Sequence, residues 1–452
     1  MASDPYVVWR NPNYRLYAGS WFLMTFGRMI ETLTVRAHVY DLTHDPMSLG
    51  WIGLVQALPV LLLAVPGGQL ADRFDRRRLL MLTLALNTLV TVGLLAVTCH
   101  QGRVSWIYTL LTLGAIGQAL GAPARAALLP QIVGTEVFAN AVTWNSSVFH
   151  ISSMTGPAIG GAILSVRAEW LSWAAQHFHN ALIREVILSF PTGATAAFAA
   201  VIACRVFSLA ALTRVRTERV QRTEAISLES LVRGVRFVWE TKLILATISL
   251  DLFAVLLGGA TYLLPVFAKD ILHVDKLGLG LLQSAEAVGA VSMAVLLTHL
   301  PPMKRAGRTM LWAVATFGAA TIAFGLSRWF PLSLAMMCLI GAADNVSVVV
   351  RHTLVQMLTP DAMRGRVSAV NAVFIVSSND LGGLESGLTA RLFGAVASVV
   401  IGGIGAIGVT LGAAALWPQI LTIGSLKDVR PVEPSTASPL MPEDLTEEEG
   451  IG

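Results

Sequence analysis

The sequence predicts an all-α polytopic membrane protein of twelve transmembrane helices, arranged as two pseudo-symmetric six-helix lobes. Three observations predict this. Hydrophobic residues make up 54% of the 452-residue chain and charged residues 13%, whereas a soluble domain carries roughly twice that charge. About twelve apolar runs, each near the ~20 residues that a helix needs to cross a bilayer, lie at 16–39, 48–71, 79–99, 105–124, 137–165, 191–213, 241–268, 277–299, 309–326, 329–350, 367–391 and 393–423. The third observation is an internal repeat. Arg125-Ala-Ala-Leu128 precedes Asn145 by the same interval that separates Arg351-His-Thr-Leu354 from Asn371. Gly156 and Gly161 stand in register with Gly382 and Gly387, so one offset of 226 residues serves all these pairs. Val8-Trp9 and Gly50 match Val238-Trp239 and Gly280 at an offset of 230. Parallel six-helix repeats are the sequence trace of a two-lobed bundle.

Helices are the economical way to satisfy backbone groups in lipid, and the alternating short segments of a membrane β-barrel do not occur. Twelve spans with short loops leave no room for a sizeable soluble domain. Residues 1–213 form the first predicted lobe and 241–424 the second. Met1 to Arg15 is short and polar, with no small-residue cleavage site before the first span, so no removable signal peptide is expected. About 22 of the 32 Lys and Arg fall in alternate loops on the side of the N-terminus, and about seven on the opposite side. This asymmetry predicts cytosolic N- and C-termini in a multi-pass protein of the cell inner (plasma) membrane. The basic charge is thus a topology signal, and no nucleic-acid partner is implied.

Between the lobes, 214–240 carries Leu228, Leu231, Val232, Val235, Val238 and Trp239 at helical spacing, with Ser227 as an N-cap. Two readings fit: an amphipathic helix on the membrane surface, or the cytosolic start of helix 7. Residues 166–190 mix Glu169, His177, His179, Arg184 and Glu185 with Trp170, Trp173 and Phe178. This segment is too polar to span and reads as an interfacial helix on the outer side, dispensable for the fold. The tail 425–452, rich in Pro, Ser and Glu, reads as disordered.

Four motifs carry more specific information. Gly68-Gln-Leu-Ala-Asp72-Arg73-Phe-Asp-Arg76-Arg77-Arg78 joins spans 2 and 3. Gly68 permits close helix approach, and Asp72 can pair with an arginine or with a helix N-terminus. Gly156-Pro157-Ala-Ile-Gly160-Gly161 bends span 5 at its proline and offers a flat face for packing. The turn after span 10 reads Thr359-Pro360-Asp361-Ala-Met-Arg364-Gly365-Arg366. Pro123-Ala-Arg125, Leu129-Pro130-Gln131, Asn13-Tyr14-Arg15-Leu16 and Leu42-Thr43-x-Asp45-Pro46 complete the set. Together they resemble the major facilitator superfamily, in the branch that contains the enterobactin exporter and macrolide efflux pumps. The resemblance covers about 10–425, excluding 166–190. It implies the major facilitator fold, a gating role for the 68–78 loop, and an export direction from the span-5 motif. It does not specify a substrate.

Span 1 supplies the first cavity candidates. At 100° per residue, Arg28, Glu31, Thr32, Arg36 and His38, with Thr25, fall within one arc, while Phe26, Met29, Ile30, Leu33 and Ala37 occupy the other side. Charges at the bilayer centre cost about 2.5–3.5 kcal/mol on insertion scales and turn to water or to each other. The arc reads either as a cavity wall with Glu31 titrating against Arg28, or as a structural Arg28–Glu31 pair. Gln118 in span 4, Asp251, Glu286, Asp344, Asp380 and Glu385 are the remaining intramembrane candidates. Arg351 lies about 10 Å of helix rise from Asp344, which suggests a structural role for that acid. Cys99, Cys204 and Cys338 lie in apolar runs without disulfide or metal spacing, so they read as packing residues. No Walker loop occurs, which argues against ATP-driven pumping. No catalytic constellation or cofactor is expected.

The function expected is export of a small amphipathic molecule, such as a siderophore or drug, by proton antiport and alternating access in a monomer. A non-transporting sensor or scaffold, or an importer of the same fold, is the alternative.

Overall fold

The computed structural model describes residues 4–166, 192–217, 235–301 and 303–425, apart from the side chains of nine positions that include Asp72, Asp361, Arg364 and Gly365. The interfacial segment, most of the linker and the tail therefore lie outside the described residues. So do the side chains on which much of the gating motifs rests.

Twelve long helices appear, with no strand among the described residues. They are α1 (Pro12–Thr43), α2 (Pro46–Arg73), α3 (Arg76–Cys99), α4 (Val104–Ile132), α5 (Phe138–Leu164), α6 (Gly193–Arg214), α7 (Lys242–Leu257), α8 (Lys276–His299), α9 (Ala306–Leu326), α10 (Phe330–Leu358), α11 (Asp361–Phe393) and α12 (Ala395–Leu416). Ten are long and apolar enough to cross a membrane. The other two are α1, with Arg28, Glu31 and Arg36 at mid-length, and α5, with its run of Asn, Ser and Thr. Caps fix the short joins. The Asn11 side chain accepts from the Asn13 and Tyr14 amides, with Pro12 in the first turn. Asp45 caps α2, Asp75 caps α3 and Asp275 caps α8.

Two of the twelve spans differ from the sequence expectation. The seventh is broken. Its helix ends at Leu257, Gly258-Gly259 follow, and tight turns over Ala260–Leu263 lead to a π-type turn at Phe267–Ile271. A Cβ on Gly259 would sit 2.8 Å from the Gly382 carbonyl, so the break lets the chain pass against α11. The twelfth stops at Leu416, where Trp417-Pro418 turns the chain into a short helix, Gln419–Thr422. Hydropathy alone does not register either interruption. Cys204 and Cys338 are half-buried in packed helices, but Cys99 is exposed at the end of α3.

Helix packing reproduces the repeat. In the first lobe α1 packs on α5 and α6, α2 on α4, and α3 on α4 and α6. In the second, α7 packs on α11 and α12, α8 on α10, and α9 on α10 and α12. Each relation carries over when six is added to the helix number. Between lobes the two large contacts, α2 with α11 and α5 with α8, exchange under the same operation.

Glycines make those two crossings. A Cβ on Gly161 would lie 2.5 Å from the Lys276 carbonyl and 2.9 Å from Gly280 Cα. A Cβ on Gly387 would lie 2.8 Å from Gly50 Cα. Gly156 and Gly160 instead face α1, at Met29 and Ile30. The span-5 motif therefore serves two interfaces, one within the lobe and one across it.

The apolar core follows from this arrangement. One cluster, including Leu33, Val39, Leu49, Leu263, Phe267 and Leu282, is shared by both lobes at the C-terminal end of α1. At the other end each lobe has its own core: Tyr14, Leu84 and Leu128 in one, Ile244, Met310 and Leu354 in the other. Leu82, Leu89, Phe207 and Leu411 are exposed around the outside, as expected of side chains that meet lipid.

Gly161→Leu would insert a side chain where two backbones meet. It is expected to prop this end open with both lobes folded. In a cysteine-free background, a Cys pair replacing Asp41 and Lys276 should crosslink in the parent and not in the Gly161→Leu variant. Equal crosslinking yields would show that the crossing tolerates bulk.

Candidate transport cavity

Among the described residues, each lobe buries one ion pair. In the first, Arg205 of α6 meets Glu31 of α1, with side chains 6% and 11% exposed. Thr91 of α3 donates to Glu31 Oε1 at 2.9 Å, and Arg205 also donates to the Asn87 carbonyl at 2.5 Å. Glu31 thus points into the lobe, between α3 and α6. The pairing expected with Arg28 is replaced by one with Arg205. In the second lobe Arg351 of α10 pairs with Asp251 of α7, both buried. Asp251 is therefore neutralised in place, and Asp344 is not the partner of Arg351. Each buried charge thus has a counter-charge within its own lobe, although the buried Arg351 Nε has no hydrogen-bond partner among the described residues.

The other charges face the boundary between lobes. Arg36 lies over the Tyr262 ring, its guanidinium carbon 3.8 Å from the centroid. Tyr262 donates to Asp380 Oδ1 at 2.7 Å. The break in α7 is what brings Tyr262 to this position. Arg28 is half-buried and acts electrostatically on Asp380 across the boundary. Glu286 and Asp344 are half-buried neighbours, because α8 and α10 cross backbone to backbone at Glu286 and Gly341. Glu286 feels both Asp344 and Arg36. Neither acid has a hydrogen bond or ion pair among the described residues. Glu385 is held by hydroxyls of its own helix, Thr389 Oγ1 donating at 3.0 Å and Ser386 Oγ at 3.4 Å. Thr32 is half-buried, and Gln118 is exposed on α4. The middle of the boundary is thus lined by cations from the first lobe and acids from the second.

One end of this boundary is shut by polar contacts. Lys269 and Lys276 donate to the two oxygens of Asp41, at 2.8 and 2.5 Å. Lys269 also lies 3.2 Å from His44 Nε2, and Tyr40 donates to Asp270. His38 lies within electrostatic reach of Asp41 and Lys276. Among the described residues, the ion pairs between lobes lie at this end. Toward the opposite end a cavity of about 280 Å³ opens between α1, α4 and α5.

The basic loop does more than anchor the chain. Arg76 donates to the Ala127 carbonyl at 3.0 Å, near the end of α4. Arg77 donates to the Leu212 carbonyl at 2.9 Å and to that of Thr213, at the end of α6. Cations at helix C-termini are favoured by the dipole and satisfy terminal carbonyls. Gly68 is buried, Arg73 is exposed, and Arg366 reaches Met363 Sδ at 3.3 Å.

Arg205, Thr91, Tyr262, Asp41, Lys269 and Lys276 were not among the sequence candidates. Arg205 was legible, since it is a lone charge in the apolar run 191–213 and the rule that selected Glu31 applies to it equally. The others stand at span ends or inside an apparently continuous span, where charge and hydroxyl groups are ordinary.

A two-lobed twelve-helix bundle with charges lining the lobe boundary is the architecture of a membrane transporter. The Major Facilitator Superfamily model matches residues 17–383, and the chain belongs to that family. It is 24% identical to the enterobactin exporter EntS of Citrobacter koseri over 88% of this chain and 90% of that one. It is 26% identical to the multidrug efflux pump Tap of Mycolicibacterium fortuitum over 74% and 79%. A match to the staphyloferrin A transporter of Staphylococcus aureus is 32% identical but spans only 34% of this chain and 39% of that protein. Among solved structures, a bacterial homologue of the human lysosomal transporter Spinster, inward-facing and occupied, superposes with a TM-score of 0.72 over 93% and 99% of the two chains at 15% identity. A D-xylose–proton symporter superposes at 0.65 over 89% and 96%, also at 15%. These likenesses concern the fold. The protein is therefore a multi-pass inner-membrane transporter that handles a small molecule.

Arg205→Ala leaves Glu31 buried without its partner and is expected to cost about 3–5 kcal/mol of stability. Thermal unfolding in detergent reads this, and Glu31→Gln added to Arg205→Ala should recover part of the loss. An unchanged melting temperature in Arg205→Ala would show that Glu31 finds water instead. Asp41→Asn should weaken the closed end, raising thiol labelling of a cysteine placed at Tyr262 several-fold. Labelling at the parent rate would show that the shared apolar core alone keeps this end shut.

Proposed function

We propose that this chain exports a small amphipathic molecule across the inner membrane by alternating access, driven by proton antiport, with both termini in the cytosol. The lobes, 1–213 and 241–424, rock as units, and a single chain is the functional unit. The observation that carries the reading is the one-ended closure: polar contacts between lobes and a shared core lie at the α1 C-terminal end, where a recess of about 780 Å³ is lined by the second lobe alone, and separate cores lie at the other. With the basic loops inside, the closed end faces out and the cavity faces the cytosol, where an exporter collects its substrate. The relatives named for siderophore or drug transport support the direction and the size class of the cargo.

Coupling needs an acid that alternates between charged and neutral states. Glu31 was the first choice from sequence, but its buried pair with Arg205 favours a structural role. Glu286, with Asp344 beside it and Arg36 within reach, and Asp380, held by Tyr262, suit the task better. They line the surface that rearranges, and the cations that stabilise their charged forms belong to the opposite lobe. Separation of the lobes would remove those cations and favour proton uptake.

The test is efflux from proteoliposomes under an imposed pH gradient, with a fluorescent amphipathic dye as cargo. Wild-type protein should show gradient-dependent transport, and Glu286→Gln should reduce the stimulation by the gradient about tenfold while leaving dye binding measurable. Stimulation at the wild-type level in Glu286→Gln and in Asp380→Asn alike would defeat the coupling assignment. Absence of transport by wild-type protein under any gradient would defeat the exporter reading.

A further inference from the structure

The cavity of the first lobe has a property that the coupling scheme does not use. Tyr17, Trp21, Arg125, Asn145, Phe149 and His150 line it, with no carboxylate in its wall. The Arg125 guanidinium carbon lies 4.3 Å from the Trp21 ring centroid. Trp21 Nε1 donates to the Asn145 carbonyl at 3.3 Å, and the Asn145 side chain accepts from Tyr14 at 3.3 Å, so the ring beneath Arg125 is held in place. Arg125 makes no ion pair or hydrogen bond among the described residues. The groups that act on its charge are the Tyr17 phenol and a second cation, Arg28. Stacking covers one face of a guanidinium and leaves its edge donors free.

The repeat provides an internal comparison. Arg125 corresponds to Arg351 at the offset of 226, and Trp21 corresponds to Asp251 at the offset of 230. In the second lobe this pair of positions is a buried arginine–aspartate ion pair. In the first lobe the same arginine is kept and its acid is replaced by tryptophan. A half-buried cation without a counter-charge is costly, and a purely structural arginine had the second lobe's solution open to it. Arg125 has instead an aromatic platform and open space.

We propose that this cavity is an anion subsite for the transported molecule. Arg125 pairs with a carboxylate, sulfonate or similarly charged group, and Trp21 and Phe149 hold the flat apolar part next to it. The inference rests on the transporter reading and deepens it by naming the substrate class: amphipathic anions. A volume of about 280 Å³ lies just below the roughly 300–1,000 Å³ of pockets for drug-sized ligands. The subsite therefore takes one charged ring-sized portion, and the rest of the molecule extends into the lobe boundary. Gln118 stands two turns before Arg125 on the same face of α4 and is exposed, where it can meet that remainder.

The experiment uses the full chain in nanodiscs of zwitterionic lipid and two fluorescent probes that share one ring system. 1-Anilinonaphthalene-8-sulfonate carries the anion, and N-phenyl-1-naphthylamine lacks it. Arg125→Gln should weaken the sulfonate probe about tenfold or more, as for loss of a charged hydrogen-bonding partner, and leave the neutral probe within about twofold. Arg125→Lys should retain much of the sulfonate affinity. Trp21→Asp gives the first lobe the second lobe's arrangement, keeps the arginine, and should lose sulfonate preference as Arg125→Gln does. If Arg125→Gln fails to fold, Trp21→Asp decides. Sulfonate affinity unchanged in the folded variants, or equal loss of both probes, overturns the proposal. Flux in proteoliposomes separates the two readings. Arg125-dependent binding without flux of either probe refutes transport and leaves the subsite standing. Flux of the sulfonate at wild-type rate in Arg125→Gln refutes the subsite alone.

Discussion

Two backbone-on-backbone crossings, Gly161 against Gly280 and Gly387 against Gly50, set the shape of the whole molecule. Without side chains at these points, α5 meets α8 and α2 meets α11 closely enough for both lobes to share one apolar core. The glycine crossings lie at one end, and at the other each lobe has its own core. The glycines do not themselves contribute apolar burial. They permit the approach through which Leu33, Leu49, Phe267 and Leu282 are buried together, and that burial supplies the adhesion. A close contact of this kind, used twice by symmetry, would let one lobe roll on the other without unpacking either, as alternating access requires.

Charge is distributed by the same logic. Pairs that neutralise each other lie within a lobe and hold three helices together, as Arg205, Glu31 and Thr91 do for α6, α1 and α3. At mid-boundary the charges outside these pairs lie between lobes, with Arg28 and Arg36 on one side and Glu286, Asp344 and Asp380 on the other. In the proposed rocking motion, the within-lobe pairs would keep their partners, and the boundary charges would lose theirs, which belong to the opposite lobe.

Much of the fold was legible in the sequence because lipid imposes one simple rule on length and hydropathy. The twelve spans and the repeat follow from it. The interruption of the seventh span was not legible, since Gly258-Gly259 and Pro265 sit among residues as apolar as any span. Their effect arises where the chain passes Gly382 of α11. The candidate site was legible as a set of residue types more than as a set of partners. Helical periodicity placed Arg28 and Glu31 on one arc, yet Glu31 turns to a residue 174 positions away. The arc says which residues share a side of α1, and the neighbouring helices decide which of them meet a counter-charge. The gripping of Asp41 by two lysines had no local sequence signal, since its partners come from the other lobe.

That grip has a consequence for the environment the protein works in. Asp41, Lys269 and Lys276 are each about a third exposed, with side-chain exposures of 34%, 38% and 30%. Dissolved ions reach them, and at ionic strengths where the Debye length falls to a few ångströms their attraction is largely screened. The two lysines are balanced there by Asp41 and by Asp270, the partner of Tyr40, so the shut mouth is held by opposite charges drawn from both lobes. The strength of this closure is therefore tied to the salt of the solution that bathes it.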